Sequence, residues 1–568
     1  MKFYRITALA VAGMLAATTF LAGCGSKGQE AKPTDGAQSS SEASAPEKKE
    51  IKTFTLFVNG GGVDNPWSTP VGQKIKEITG VDLKVELLVG SDTRQKAGVM
   101  IASGDYPDLI ASGEATAEFV AANALIPLDD YIDKYGENIK KVYRPSELSY
   151  LKSQHGKTLF IATQRASEDL LYPGAAFYLA KDVLKQANWP VVKTWDQYVQ
   201  VIKDYVKKNP EYNGKSTIGF TMPTEGGRIS ALQYGASRFL AGYPNDGPTS
   251  VDQETLEAKL VLTQEYNKPY LLAMNDLWNE GILDKEIFMQ TNDQFLAKVS
   301  SGRVIGVYDQ RWGIQDALAA LEDQKLYDRT MVGFPIVLDG VEKEYYRGYR
   351  AMVTSNNVGI STKCKDPEGA FQFLDALVSE EVSKLMYWGI EGEDYTLENG
   401  KLTRTPEQWN NTLSLEYQKK QGINIYYYLP GREDTSDEVY SKFSDGNPVQ
   451  PQRLEEYLNI KYRDFEKETL QAYNVKTFND FFAPMLPARY EAGWGLRAKL
   501  AADDPAKITV EKALELSSQY IPKIVMAKKE NFEPLWKEYQ DKLAKLDIKA
   551  YEDKITQMLK DSAEFYKE

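Results

Sequence analysis

A chain of 568 residues with 81 acidic and 68 basic side chains, a formal net charge of −13, is poorly suited to nucleic acid or an anionic membrane surface. One His and two Cys leave Ser-His-Asp or Cys-His catalysis and His-based metal sites with a single candidate each at most, and no GxxxxGK[ST] phosphate loop occurs. The 81 carboxylates always supply pairs of the kind that cleave glycosides, but no pattern marks one pair out.

The first residues set the compartment. Lys2 and Arg5 precede an apolar run from Ile6 to Leu21, shorter than the roughly twenty residues a membrane span needs, so the segment reads as a secretory signal. Its end, Leu21-Ala22-Gly23-Cys24, resembles the bacterial lipobox, in which cleavage precedes a Cys that then carries lipid such as palmitate. Residues 1–23 are therefore expected to be a lipoprotein signal peptide, with Cys24 the lipidated residue at the outer face of the cell membrane. Residues 24–50 hold no Leu, Val or aromatic residue and cannot bury enough apolar surface to order themselves; they read as a tether. Loss of Lys2 and Arg5 takes the charge to −15. With Cys24 lipidated no disulfide can form, so the exported domain must rest on its core.

From there strand and helix signals alternate. Thr53–Asn59 is β-prone and Gly60-Gly61-Gly62 breaks it. Thr69–Thr79 carries helical spacing at Val71, Ile75 and Ile78, and Gly80 ends it. Val81–Val89 reads as a strand, Asp92–Ala102 as a helix, Leu109-Ile110 as a third strand. This order predicts a parallel sheet flanked by helices, with ligands beyond the carboxyl ends of its strands. Further on, Lys157–Thr163 is a predicted strand and Lys181–Ala187 a short helix. Thr194 and Gln197 form a capping box opening a helix to about Lys208. Ser216–Met222, Val304–Tyr308 and Met352–Ser361 are predicted strands, and Asp366-Pro367 starts a helix with Pro at its first position. The last 170 residues or so read as mostly helical.

Five segments, in order, carry a family resemblance: Ser103-Gly104-Asp105-Tyr106-Pro107-Asp108, Thr194-Trp195-Asp196-Gln197-Tyr198, Ser301-Gly302-Arg303-Val304-Ile305-Gly306, Lys363-Cys364-Lys365-Asp366-Pro367-Glu368 with Ser379-Glu380-Glu381, and Gly389-Ile390-Glu391-Gly392. Together with the lipobox they resemble the extracellular solute-binding lipoproteins of ABC importers, the large sugar-binding type. The resemblance covers residues 51 to about 400. It implies an α/β protein of the two-lobed, periplasmic-binding-protein-like type II fold, hinged between lobes, with a helical C-terminal part. The divisions expected are 51–170 and 350–395 for the first lobe, 171–349 and 396–568 for the second. It also implies a carbohydrate ligand in the inter-lobe cleft, membrane permease subunits as partners, and no catalysis. The chain is expected to act as a monomer without cofactor, metal or nucleic acid. Relatives often carry a calcium loop after the second motif; here Asn209–Thr217 offers one carboxylate, Glu211, too few for calcium. A lipid-anchored glycosidase or lyase, a binding protein serving a sensor, and a carrier of a non-sugar solute stand as alternatives.

Nine Trp, 35 Tyr and 21 Phe supply the flat faces that sugar rings pack against. Trp67 and Trp312 follow predicted strands, Trp388 adjoins the Gly389-Ile390-Glu391-Gly392 loop, and Trp494 lies between two glycines. These four are the expected cleft aromatics; Trp189, Trp195, Trp278, Trp409 and Trp536 are assigned to packing. Arg311 and Asp309 are expected to clamp hydroxyls, with Gln164, Arg165, Glu225, Arg228 and Glu391 as further polar candidates. His155, at a strand entry, is assigned a structural role.

Overall fold

The computed structural model describes residues 51–59, 63–88, 93–164, 171–348, 352–432, 438–486 and 489–567. Cys24 and the signal and tether segments lie outside them.

Two sheets organise the chain. The first begins with β1 (Lys52–Val58), α1 (Pro70–Thr79), β2 (Val81–Leu87), α2 (Thr93–Ser103) and β3 (Leu109–Ala111). The Thr69 hydroxyl caps α1 by accepting from the Gly72 N–H, and Gly80 ends it at φ 69°, a left-handed conformation that costs Gly nothing. β1 runs parallel to both β2 and β3, as the alternation predicts. The chain reaches the sheet's far edge with β4 (Ile161–Gln164).

It then crosses to a second sheet with β5 (Ala175–Ala180). α3 (Trp195–Lys208) opens with the expected capping box, Thr194 and Gln197 each bonding the other's backbone. β6 (Gly306–Gln310) runs straight into α4 (Arg311–Asp323), and β7 (Met331–Phe334) follows; β6 and β7 flank β5 antiparallel. The strand expected at Ser216–Met222 is reduced to single parallel bridges from Ile218, Phe220 and Thr221. Gly219 sits so close to Ile282 that a Cβ there would overlap its side chain. The loop considered for calcium is a tight hairpin turned by Asn213 and Gly214, both at positive φ.

The chain returns to the first sheet with β8 (Val353–Ile360), which inserts antiparallel between β3 and β4, giving the order β2-β1-β3-β8-β4. α5 (Pro367–Leu377), capped by Asp366, and α6 (Glu380–Trp388), capped by Ser379, cover one face of that sheet. α7 (Leu415–Gln421) follows, and Ile423, Ile425, Tyr426, Tyr428 and Leu429 pack into the same first core. From Tyr462 the chain returns to the second core, which α8 (Pro505–Val525), α9 (Phe532–Leu543) and α10 (Ile548–Ala563) complete. No helix among the described residues is long and apolar enough to cross a membrane.

Candidate functional site

A cavity of about 990 Å³ opens between the two cores. Its first wall carries Thr163 near the end of β4, Asn356 on β8, Tyr387 on α6, and Asn424, Tyr426 and Tyr427 just past α7. Tyr426 is anchored from behind: its ring meets Trp67 edge-on at 5.8 Å, inside the first core. Tyr427, next in sequence, turns the other way and is 63 % exposed.

The second wall rests on α4. Gln315, Asp316, Ala319, Ala320 and Asp323 recur at helical spacing and face the cavity, while Gly313, Ile314, Ala317 and Leu321 bury the opposite face. Tyr172 lies at the base, its hydroxyl donating to Glu466 at 2.8 Å. The Arg311 guanidinium lies 3.6 Å from the centre of the Tyr172 ring, a cation–π contact. The Arg463 guanidinium pairs with Glu322 at 3.4 Å. Glu466 is held by its helix start, its carboxylate accepting from the Arg463 backbone N–H at 3.1 Å. Burial pushes the Tyr172 hydroxyl well above its ordinary pKa, and the Glu466 charge adds to this. Burial raises Glu322 against the opposing charge of Arg463. Burial, then the charge of Arg311, lowers the Lys461 ammonium. Across the mouth, Lys419 of α7 reaches Asp316 of α4 at 3.6 Å.

The expected site residues scatter. Arg311 lines the cavity. Trp67 does not: it is 1 % exposed, its indole N–H donates to the Val81 carbonyl at 3.0 Å, and Phe373 and Tyr426 pack on its ring. Pro66 and Trp67 begin a short helical turn that folds the ring back under α1, so a residue following a strand ends in the core. Trp388 is likewise core, fully buried, with its N–H on the Pro448 carbonyl and the Arg404 guanidinium 5.2 Å from its ring. Trp494 is half-buried against Gly247 and does not line the cavity. Trp312 is 63 % exposed at the first turn of α4, next to Arg311, and does not itself line the cavity.

Asp309, Arg228 and Trp312 form a unit. The Asp309 carboxylate, 3 % exposed, accepts from Arg228 at 2.5 Å, and that guanidinium lies 4.7 Å from the Trp312 ring. Burial lifts Asp309 to a pKa of about 6, with the charge of Arg228 opposing. Glu225 holds a helix start instead, accepting from the Asn292 N–H at 2.7 Å. Glu391 is exposed and away from the cavity; the buried acid of its loop is Asp394, which accepts from the Ile390 N–H, the Tyr417 hydroxyl and Gln421. Gln164 ends β4, and Arg165 lies outside the described residues. His155 packs edge-on against Phe160. Sequence reasoning missed Tyr172, Tyr387, Tyr426 and Tyr427. One signal was present: three consecutive tyrosines, Tyr426-Tyr427-Tyr428, directly before Leu429-Pro430-Gly431.

Residues 71–393 match the pattern of the bacterial extracellular solute-binding proteins. Lipoprotein LipO of Bacillus subtilis is 23 % identical over 360 residues, 62 % of this chain and 68 % of LipO. The fructooligosaccharide ABC transporter substrate-binding protein FusA of Streptococcus pneumoniae is 24 % identical over 416 residues, 69 % of this chain and 72 % of FusA. The polygalacturonan/rhamnogalacturonan-binding protein YtcQ of B. subtilis is 23 % identical over 408 residues, 70 % of this chain and 75 % of YtcQ. The structure of FusA in complex with kestose superposes with a TM-score of 0.61 at 16 % identity, covering 90 % of this chain and 99 % of that one. The fold is thus the two-lobed α/β fold of such binding proteins.

Proposed function

The chain belongs to the bacterial extracellular solute-binding proteins, and on that premise we propose that it captures an oligosaccharide between its lobes and hands it to an ABC permease, without chemical turnover. The cavity carries this reading: about 990 Å³, large enough for several sugar rings, with tyrosine faces on both walls and amides between them. FusA, bound to kestose in its structure, has the same fold. Tyr172, Tyr426 and Tyr427 supply apolar faces, Arg311, Asn356 and Asn424 the hydrogen bonds that set orientation. Trp312, backed by Arg228, extends the site along α4. Consecutive turns of a helix are about 5.4 Å apart, so a sugar ring on Trp312 adjoins one held at Gln315 and Asp316.

We also propose that the first lobe comprises residues 51 to about 165 together with about 352–454, and the second the remainder; the packing of Ile423–Leu429 in the first core favours this later return over one at 396. Cys24 is the lipid anchor that keeps the chain, as a monomer, at the outer membrane face. Labelled palmitate entering the wild type but not Cys24→Ser is the expected result. The functional test is calorimetric titration with fructo-, manno-, xylo- and galactooligosaccharides. Binding without release of shorter products is expected; product release points to the hydrolytic alternative, and no binding by any oligosaccharide defeats the reading.

A further inference from the structure

We infer that the cleft selects uncharged oligosaccharides and discriminates against those built of uronic acids; this rests on the oligosaccharide reading above. Relatives do not decide it, since FusA and YtcQ are named for neutral and for acidic glycans. The charges lining the cavity do.

Four cations reach it, Arg311, Lys419, Lys461 and Arg463. Five carboxylates face them: Asp316, Glu322, Asp323, Glu416 and Glu466. Four against five leaves one negative charge in excess. The cations are also committed. Arg463 pairs with Glu322 at 3.4 Å and Lys419 with Asp316 at 3.6 Å. Lys461 feels both Glu322 and Glu466. Arg311 lies over the ring of Tyr172, whose hydroxyl donates to Glu466, and acts electrostatically on Glu322. A uronate is best recognised by an arginine fork whose N–H groups are still available. Here its carboxylate has to displace a protein carboxylate that stays nearby as a like charge, in a partly dehydrated space where repulsion is strong. A neutral sugar meets the same groups differently. Hydroxyls both donate to Glu322 and Glu466 and accept from Arg311 and Arg463, so the ion pairs need not break.

The approach has the same bias. Asp323 and Glu416, both exposed, form no ion pair among the described residues. The chain's net charge of −13 adds a long-range field of the same sign.

The test is calorimetric titration of the full chain with neutral oligosaccharides and with uronate oligomers of matched length, galactooligosaccharide against oligogalacturonide and mannooligosaccharide against oligomannuronate, at low and high salt. The expected result is neutral binding, with each uronate weaker by about tenfold or more and gaining affinity as salt screens the repulsion. A uronate that binds more tightly than its neutral counterpart, and weakens with salt, overturns the inference while leaving the oligosaccharide reading intact. Failure of both kinds to bind defeats that reading first. Glu322→Gln, which releases Arg463, is expected to move the ratio of the two affinities severalfold toward the uronate. Asp323→Asn, on the exposed rim, is expected to move it the same way by a smaller factor without touching the core. Ratios unchanged in both variants, each checked for a native melting curve, overturn the inference.

Discussion

The two walls of the cleft are built on different physics. The first is almost uncharged at its base: Asn356, Tyr387, Asn424 and Tyr426 stand in front of a hydrophobic core, and Tyr426 leans directly on Trp67. The second is ionic: Arg311, Glu322, Lys461, Arg463 and Glu466 surround Tyr172, and charge pairs add to the packing of α4 and Tyr172 on the second core. Dispersion contacts hold both walls, and the second depends in addition on the protonation and screening of its charged members. The first wall offers a stiff stacking surface, the second an adjustable polar one. A ligand that engages both draws the lobes together only to the extent that it binds the closed arrangement better.

The largest predicted effect tests the stiffness of the first wall. Trp67→Ala leaves a large cavity behind Tyr426 in a site that is 1 % exposed. A loss of about 3–5 kcal/mol of folding stability is expected, the range for a buried Trp replaced by Ala. Urea denaturation of the empty protein reads it, and a loss below about 1 kcal/mol would mean that Trp67 does not hold the wall.

Next come the exposed rings. Tyr427→Ala on the first wall and Trp312→Ala beside the second remove rings that are each 63 % exposed. Folding stability is expected to stay within about 0.5 kcal/mol of wild type, as for surface substitutions generally. Affinity for a bound oligosaccharide should fall by about 1–2 kcal/mol, the scale of part of one buried side chain. The two variants should differ with ligand length. Tyr427→Ala weakens every oligosaccharide, while Trp312→Ala weakens only those long enough to pass the first turn of α4. Titration with di-, tri- and tetrasaccharides of one series separates them, and equal losses at every length would remove Trp312 from an outer position.

How far the chain could be read beforehand follows the same division. Elements of the first sheet were legible because alternation, Thr69, Gly80, Asp366 and Pro367 are local signals that the tertiary structure did not override. The capping box at Thr194 was legible for the same reason. The antiparallel insertion of β8 was not, since register and direction depend on partners two hundred residues away. The site was harder. Arg311 lines the cavity, whereas Trp67 and Trp388, expected in the cleft on the rule that strand-end and loop aromatics face ligand, do not. A Trp is too large to leave exposed without a reason, and both rings found backbone carbonyls for their N–H groups inside the core. The tyrosines that line the cavity come instead from the first crossover, the end of α6 and the turn after α7.

The third effect concerns pH and the unit beside the second wall. Asp309 has a folded pKa of about 6, above its unfolded value. Between about pH 4 and pH 6 the folded state therefore holds a proton that the unfolded state has lost, so stability falls as pH rises through that window. Asp309→Asn should flatten this part of the profile. Binding runs the other way: the ionised carboxylate holds Arg228 at 2.5 Å against Trp312, so affinity for the longer ligands should weaken as pH drops below about 6. Melting temperatures and titrations from pH 4 to pH 8 on both proteins check the two trends. A wild-type and variant pair with superimposable melting profiles would show that Asp309 titrates at its ordinary value.

The smallest effect is the contact that joins the walls at the mouth. Lys419 and Asp316 lie 3.6 Å apart on helices from opposite sides, with 49 % and 58 % of their side chains exposed. Exposed pairs of this kind contribute about 0.2–1 kcal/mol, less as salt rises. Lys419→Met keeps the aliphatic stem and removes the charge, so any change reports the pair and not lost packing. The pair exists only when the lobes are near each other, so the variant should bind oligosaccharide up to about fivefold more weakly at low salt and indistinguishably from wild type at about 0.5 M, where the Debye length is only a few Å. Faster ligand release with an unchanged association rate is expected, because the pair forms after the ligand has entered. A variant that releases ligand more slowly, or whose deficit persists at high salt, would show that the ion pair does not stabilise closure and that the ligand alone bridges the two walls.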